Sequence, residues 1–381
     1  MKKKYILGLF YTLFSASLLA HGDKSGLLER SDFGGSLFAQ LGYYQDSRQA
    51  ETWSIPGVIT GDDAVHNEQG LQLIHGEVAF TVSIESVLAG HLILGSHNAE
   101  STTVEELWLQ PDIGEKWQLR VGRQLTDIGL YNATHDHDWL FIDANLSQQA
   151  FLASQYSDDS IQLRWSNDTQ QFTTWIGRGN GYPASVDENS ATPHAYGLAY
   201  ELQWFGEQNS VLLKSSLTHF NAYQRGDDEK TGHTHGNANN ITFTGDTNLV
   251  SLGLQWQWIA LGWDIEWMAQ QIDADLTDSQ QFQTKLDATN QGISSQLYWQ
   301  WQDVQVAFRY DTLLTDNKVT QNSTEFANTL DSKGHNPERL SLIMNWFVGD
   351  NQILRLQGNF DQTQEQKEQA FWLIYQGNLY W

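Results

Sequence analysis

The chain contains no cysteine, which removes disulfides, thiolate metal sites, iron–sulfur clusters and cysteine nucleophiles together. Any metal must therefore be held by His, Asp or Glu. Basic residues are scarce, 21 against 46 acidic ones, for a formal charge of −25. Nucleic acid demands a basic face and is excluded as a partner on that ground. Only 5 of the 381 residues are proline and 18% are charged, so the composition is that of a folded chain. After the first twenty residues no segment offers the roughly 18 unbroken apolar residues that a spanning helix requires. A membrane-embedded mature chain must then be a β-barrel, the other structure that satisfies its backbone in lipid.

What is present fits that alternative. The chain is rich in aromatics, with 16 Trp and 14 Tyr, yet its mean hydropathy is −0.47. Strands that alternate lipid-facing apolar residues with polar lumen residues, bordered by aromatic girdles, reconcile the two. Residues 1–20 read as a signal peptide: Lys2, Lys3 and Lys4, then the apolar run Tyr5 to Leu19, with cleavage near Ala20. Removing those lysines leaves 18 basic and 46 acidic residues, a mature charge of about −28. Residues 21–35 form a short N-terminal segment and 36–381 the barrel, which places the protein in the outer membrane of a Gram-negative bacterium, with outer-membrane lipid around it.

The period is two. Tyr196, Leu198, Tyr200, Leu202 and Trp204 share one face, with Ala195, Gly197, Ala199, Glu201 and Gln203 on the other. Val250, Leu252, Leu254, Trp256 and Trp258 oppose Ser251, Gly253, Gln255 and Gln257. Leu261, Trp263, Ile265, Trp267 and Ala269 oppose Gly262, Asp264, Glu266 and Met268. Pro56, Pro111, Pro183, Pro193 and Pro337 fall between such runs, where a missing donor harms no ladder. Short turns, one of them near Ser86, alternate with long polar stretches. Counting Phe151 to Tyr156 as a strand gives an odd total of about seventeen and breaks that alternation. Treating 124–159 as one excursion gives about 16 strands, an all-β transmembrane antiparallel barrel with an inward-folded constriction loop. Strand starts are expected near Ser36, Asn248 and Gly292 among others. The C-terminal run Phe371 to Trp381 resembles the last strand of outer-membrane proteins, which closes the barrel.

Inward positions decide what a pore passes. Arg120, Arg164, Arg309, Arg339 and Arg355 fall on the polar phase of their strands, as do His75 with Glu77, Glu201, and Asp264 with Glu266. A basic ladder would favour anions and acidic rings cations; the overall charge favours cations at the mouths. The excursion 124–159 carries His135-Asp136-His137-Asp138, followed by Asp143. In an extended chain His135 and His137 project to one side, and imidazole with carboxylate suits zinc. Its expected proton competition lies near pH 6.5. A second pair, His233 and His235, lies in a long outer loop as a capture point.

The stretch Arg120-Val121-Gly122-Arg123, Ile128-Gly129-Leu130-Tyr131-Asn132, His135-Asp136-His137, Trp139, Phe141-Ile142-Asp143, Ala150-Phe151-Leu152, Gln155-Tyr156 and Ile161-Gln162-Leu163-Arg164-Trp165 resembles porin-like outer-membrane proteins related to the phosphate-selective porins. It is most similar to members with a Gly-Tyr-Leu-Asn run and two histidines, often associated with zinc acquisition. Here the order is Gly129-Leu130-Tyr131-Asn132. The resemblance implies a sixteen-stranded barrel, a homotrimer, and a channel for small solutes with divalent zinc as its sharpest version. An anion, phosphate-type or general small-solute porin is the alternative. No cofactor is required, and Zn2+ is expected only in transit. A TonB-dependent receptor needs a plug and about twenty-two strands, which this length does not hold. An enzyme is not expected, since neither His91 nor His219 has a partner at a catalytic spacing.

Overall fold

The computed structural model describes residues 32–47, 54–60, 69–84, 87–97, 101–187, 190–226 and 241–381. The signal peptide, most of the segment 21–35, and His233 with His235 lie outside the described residues. Sixteen strands run in order: β1 (Asp32–Asp46), β2 (Gly70–Ile84), β3 (Leu88–His97), β4 (Thr102–Pro111), β5 (Trp117–Leu125), β6 (Ser157–Ser166), β7 (Gln170–Gly177) and β8 (Ala195–Phe205). They continue as β9 (Asn209–Arg225), β10 (Thr242–Trp258), β11 (Leu261–Thr277), β12 (Gln283–Trp301), β13 (Val304–Val319), β14 (Glu338–Gly349), β15 (Gln352–Gln362) and β16 (Glu368–Tyr380). Each is antiparallel to its neighbours in sequence, and β16 pairs with β1 from Ser36↔Tyr380 to Asp46↔Ala370. Closure leaves no edge, which a barrel in lipid must not have. Gly35 and Trp381 exchange both backbone hydrogen bonds at 3.1 Å and finish the seam.

The expected faces are the observed ones. Along β11 Leu261, Trp263, Ile265, Trp267 and Ala269 point to the outside, and along β12 Ile293, Leu297, Trp299 and Trp301 do so. Nine residues of strand at about 3.4 Å each, tilted by about 40°, rise about 23 Å, close to the apolar band of outer-membrane barrels. Of the prolines, Pro111 is the last residue of β4 and the others stand outside the strands.

Three strands begin well before the expected start, by at least four residues: β1 at Asp32, β10 at Thr242 and β12 at Gln283. The last two share a cause. Beyond Ala269 and Ile293 the pleat continues without a break, but its polarity exchanges sides. Gln271, Asp273 and Asp275, like Lys285, Asp287 and Thr289, face solvent, while Ala274, Leu276, Leu286 and Ala288 are buried inside. With Ala222, Ile241 and Phe243 they form an apolar patch closed by the short helix α2 (Thr324–Leu330) through Phe326 and Leu330. The search for apolar-outward residues stops at the membrane, whereas the ladder does not.

The excursion expected over 124–159 is shorter, residues 126–156, because both ends pair as β5 and β6, and it folds into the lumen. Its helix α1 (Leu146–Leu152) occupies part of the stretch that competes for a strand by pattern, and all seven helical residues are buried. Asn145 caps it by accepting from the Gln148 amide at 2.9 Å. Leu146, Ala150, Phe151 and Leu152 pack with Ile55 and Val58 from the first long connection and with Trp175, Phe220, Leu249 and Leu313 from the wall. An apolar plug therefore fills that side of the lumen and braces the loop.

Candidate functional site

The inner loop is fastened at three places. At its start Asp127 accepts a hydrogen bond from Thr173 Oγ1 at 2.8 Å and pairs with Lys214 at 2.5 Å and Arg164 at 3.7 Å. Burial opposes its charge, but the Lys214 and Arg164 cations hold the carboxyl well below its usual range. Next, the Leu130 amide donates to Glu266 at 2.7 Å and the Tyr131 hydroxyl to Asp264 at 3.2 Å. Burial and those two carboxylates push the Tyr131 phenol up, so it stays a neutral donor. Gly129 precedes them at φ +59°, and Glu266 lies where a side chain at 129 would stand. That is the reason for glycine in the motif.

The third fastening is on β13 to β15. Asp143 receives Arg309 at 2.8 Å and Arg339 at 3.2 Å, with Gln357 and Asn359 donating at 2.6 and 2.8 Å. Arg339 also donates to the carbonyl of Ala144 and to Gln149. Arg355 donates to the carbonyls of Trp139 at 2.6 Å and Leu140 at 3.0 Å. With Arg164 at Asp127, four of the five expected pore-lining arginines are thus committed to the loop. Asp143, expected with the metal ligands, is committed to Arg309 and Arg339 on the opposite wall instead. Arg120 donates to Gln110 at 3.0 Å and lies over the Trp108 ring, and Glu201 accepts from Gln203.

Between these anchors the loop presents His135, Asp136 and His137 to β2, β3 and β4. Residues 136–138 form a 3-10 turn rather than an extended segment, closed by the Trp139 amide donating to Asp136 O at 3.1 Å. The two imidazoles still come together, with ring centroids 5.4 Å apart. His137 stacks on Phe38 at 4.2 Å, and its Nδ1 stands 3.2 Å from Glu77 and 3.8 Å from Asp136. Its Nε2 lies 3.7 Å from Asp138. His135 Nε2 is 3.3 Å from Glu106. His75 reaches Glu77 and Glu105 through Nε2, both at 3.2 Å, and approaches Asp136 through Nδ1 at 3.7 Å. His97, stacked on His75 at 4.1 Å, donates to Glu105 at 3.1 Å.

His97, Glu105 and Glu106 are additions to the residues picked out from sequence. A turn near Ser86 predicts that His75 and His97, equidistant from it, are cross-strand partners, as they are. The two glutamates carried no such signal. A β-bulge at Ile93/Leu94 shifts the register of β4, so that consecutive carboxylates both reach the lumen cluster. Glu105 lies over Gly95, in the space a side chain there would take.

The donors suit a borderline divalent cation, imidazole with carboxylate and no sulfur. Among the described residues the buried His75 Nδ1, Glu77 Oε1 and His137 Nδ1 reach no well-aligned hydrogen bond, although Glu77 Oε1 and His137 Nδ1 face each other at 3.2 Å as an ion pair. Burial would lower the His135 imidazolium, but the hydrogen bond and charge of Glu106 outweigh it and raise the group to about 10. Burial likewise opposes, and Glu77 with Asp138 overcomes, in raising His137. Burial raises Asp136, and the neighbouring His75 and His137 more than reverse it. Proton competition at His135 and His137 therefore stands above the pH of 6.5 expected from an isolated imidazole, because both of these rings already face a carboxylate.

No protein-family model and no curated protein sequence matches the chain. Solved structures do match in fold. OmpT of Vibrio cholerae in its trimer form is 9% identical with a TM-score of 0.52, covering 92% of this chain and 99% of that one. The outer-membrane channel DcaP of Acinetobacter baumannii gives 10%, 0.54, 94% and 99%. Salmonella typhi OmpF in complex with daunomycin gives 10%, 0.53, 92% and 97%. The fold is that of the outer-membrane porins, a closed barrel of the Gram-negative outer membrane.

Proposed function

We propose that this porin-like barrel is a channel whose inner loop forms a divalent-metal constriction, with zinc as the ion it passes. The observation that carries the reading is the delivery of His135, Asp136 and His137 to the wall residues His75 and Glu77, with donor atoms within 4.8 Å in each of two triads. Imidazole and carboxylate at that spacing bind zinc. Conduction needs a site that also releases the ion, and a loop open to solvent at Asp136, whose side chain is 41% exposed, suits passage better than storage. The mature charge of about −28 raises the local concentration of cations at the mouths. The trimer form of OmpT makes a homotrimer the assembly to test first.

The alternative is a general small-solute porin with anion or phosphate preference. Arg120 is the arginine left for it once Arg164, Arg309, Arg339 and Arg355 hold the loop. Reconstituted channels decide between the two. The His135→Ala, His137→Ala double variant should lose zinc flux and zinc block while its potassium conductance stays nearly unchanged. Equal zinc behaviour in variant and parent, or anion preference in the reversal potential at low salt, returns the channel to the alternative.

A further inference from the structure

The cluster holds more ligands than one ion can use. Three triads have all their donor atoms within 4.8 Å: His75, His97 and Glu105; His75, Asp136 and His137; and Glu77, His135 and His137. The first and last share no residue. The middle one borrows His75 from the first and His137 from the last.

We propose that the triads form a two-ion relay, in which His75, His97 and Glu105 make an outer zinc site, Glu77, His135 and His137 an inner one, and the middle triad is the position of transfer. This rests on reading the inner loop as a metal constriction and adds an outer site on residues the loop does not supply. His97 ends β3 on the side of the long connections, and its side chain is 56% exposed, so the outer triad opens toward solvent. Its donor spacings, 3.1 Å from His97 to Glu105 and 3.2 Å from Glu105 to His75, are close to the roughly 3.4 Å between ligand atoms on a tetrahedral zinc with bonds near 2.1 Å. Glu105 can reach between the two rings because Gly95 beneath it has no side chain.

Sharing sets the order of events. A neutral imidazole has one acceptor nitrogen, so it serves one ion at a time. His75 shows Nε2 to Glu105 and Nδ1 to Asp136, so binding in the middle triad takes it from the outer one. His137 offers the same Nδ1 to Asp136 and to Glu77, so the middle triad also competes with the inner one. The buried atoms without a well-aligned hydrogen bond, His75 Nδ1, Glu77 Oε1 and His137 Nδ1, are the donors of the middle and inner positions. Two ions can rest at the ends, none can rest between them, and repulsion between the two promotes release, as successive sites in a conducting pore require.

The test is a count of zinc on the full chain in detergent, by equilibrium dialysis and elemental analysis, with His233→Ala and His235→Ala in every sample to silence the outer loop. The expected result is two zinc ions per chain, falling to one in His97→Ala and to one in His135→Ala. Glu105→Gln, which preserves side-chain size, should reproduce His97→Ala, and heat-modifiable gel migration confirms that each variant is folded. One ion in the parent that survives His97→Ala but not His135→Ala overturns the relay and leaves the constriction standing. Two ions that survive both substitutions overturn the relay by placing zinc elsewhere. No ion in the parent overturns both.

Discussion

Two walls of the same lumen grip the same loop by opposite means. On β13 to β15 the guanidinium ends of Arg309, Arg339 and Arg355 meet carbonyls and the Asp143 carboxylate, at distances from 2.5 to 3.2 Å. On β2 to β4 the contacts are between histidines and a surplus of carboxylates, with buried atoms of His75, Glu77 and His137 left without a well-aligned hydrogen bond. The first arrangement is a fastening. The second is an under-satisfied polar cluster, which the proposed metal would complete, and it can persist because the fastening holds the loop in place. An under-satisfied polar cluster would otherwise relax toward water.

Breaking the arginine wall should have the largest effect. Asp143→Ala removes one of the two carboxylates that Arg309 and Arg339 share and leaves them Asp311 alone, a loss of about 3 kcal/mol locally. The expected outcome is a freed loop, seen as raised single-channel conductance and protease cleavage between residues 139 and 146; unchanged conductance would mean that the wall is not the fastening. Zinc sharpens the contrast from the other side. At about 100 times its dissociation constant a ligand stabilises the state it binds by about 2.7 kcal/mol. Hydrogen exchange at residues 134–138 should slow on adding zinc while residues 140–144 stay as they were, and equal slowing at both would erase the distinction.

Acid tests the fastening at the loop's start. Asp127 is held below its ordinary value of 3.8 by Lys214 and Arg164 against the opposing effect of burial. A depressed carboxyl contributes stability that is fully present above that value and is lost as pH falls through the lower folded one. Protection of the Ile128 and Gly129 amides should therefore be flat from neutral pH to about 4 and decline only below it; a decline between pH 7 and 5 would point to a different group. The smallest effect is expected of Arg355→Lys. The charge remains, but a single ammonium cannot reproduce the fork that reaches both Trp139 and Leu140 carbonyls, a cost of about 1 kcal/mol. A slightly lower unfolding temperature of the loop by hydrogen exchange, with zinc binding intact, is the expected reading.

Much of the barrel is legible in period and parity, because lipid imposes alternation on Leu261 to Ala269 and closure imposes an even count. The inner loop is legible from its length. The histidine pair is legible as a pair, although it gathers through a 3-10 turn and not an extended chain. Asp143 is misplaced by sequence proximity: five residues beyond Asp138, it serves the opposite wall. Glu105 and Glu106 could not be read at all, since a bulge is a property of two strands together and alternation assigns neighbours to opposite faces. The inward apolar residues Leu276 and Leu286 were hidden for the converse reason, the rule that found the membrane being inverted above it.

That inversion sets the depth at which the barrel floats. Immediately above Ala269 and Ile293 the outward residues become Gln271, Asp273 and Gln291 without any break in the pleat. If the barrel sank by two residues, these polar groups would enter hydrocarbon; if it rose by two, Trp299 and Trp301 would be drawn away from the far interface. Either displacement is opposed all along the rim of β10 to β12, so the bilayer level is fixed against the outer ends of these strands. The lumen cluster, borne by the same closed sheet, inherits a fixed distance from the cell surface whatever the loops above it do.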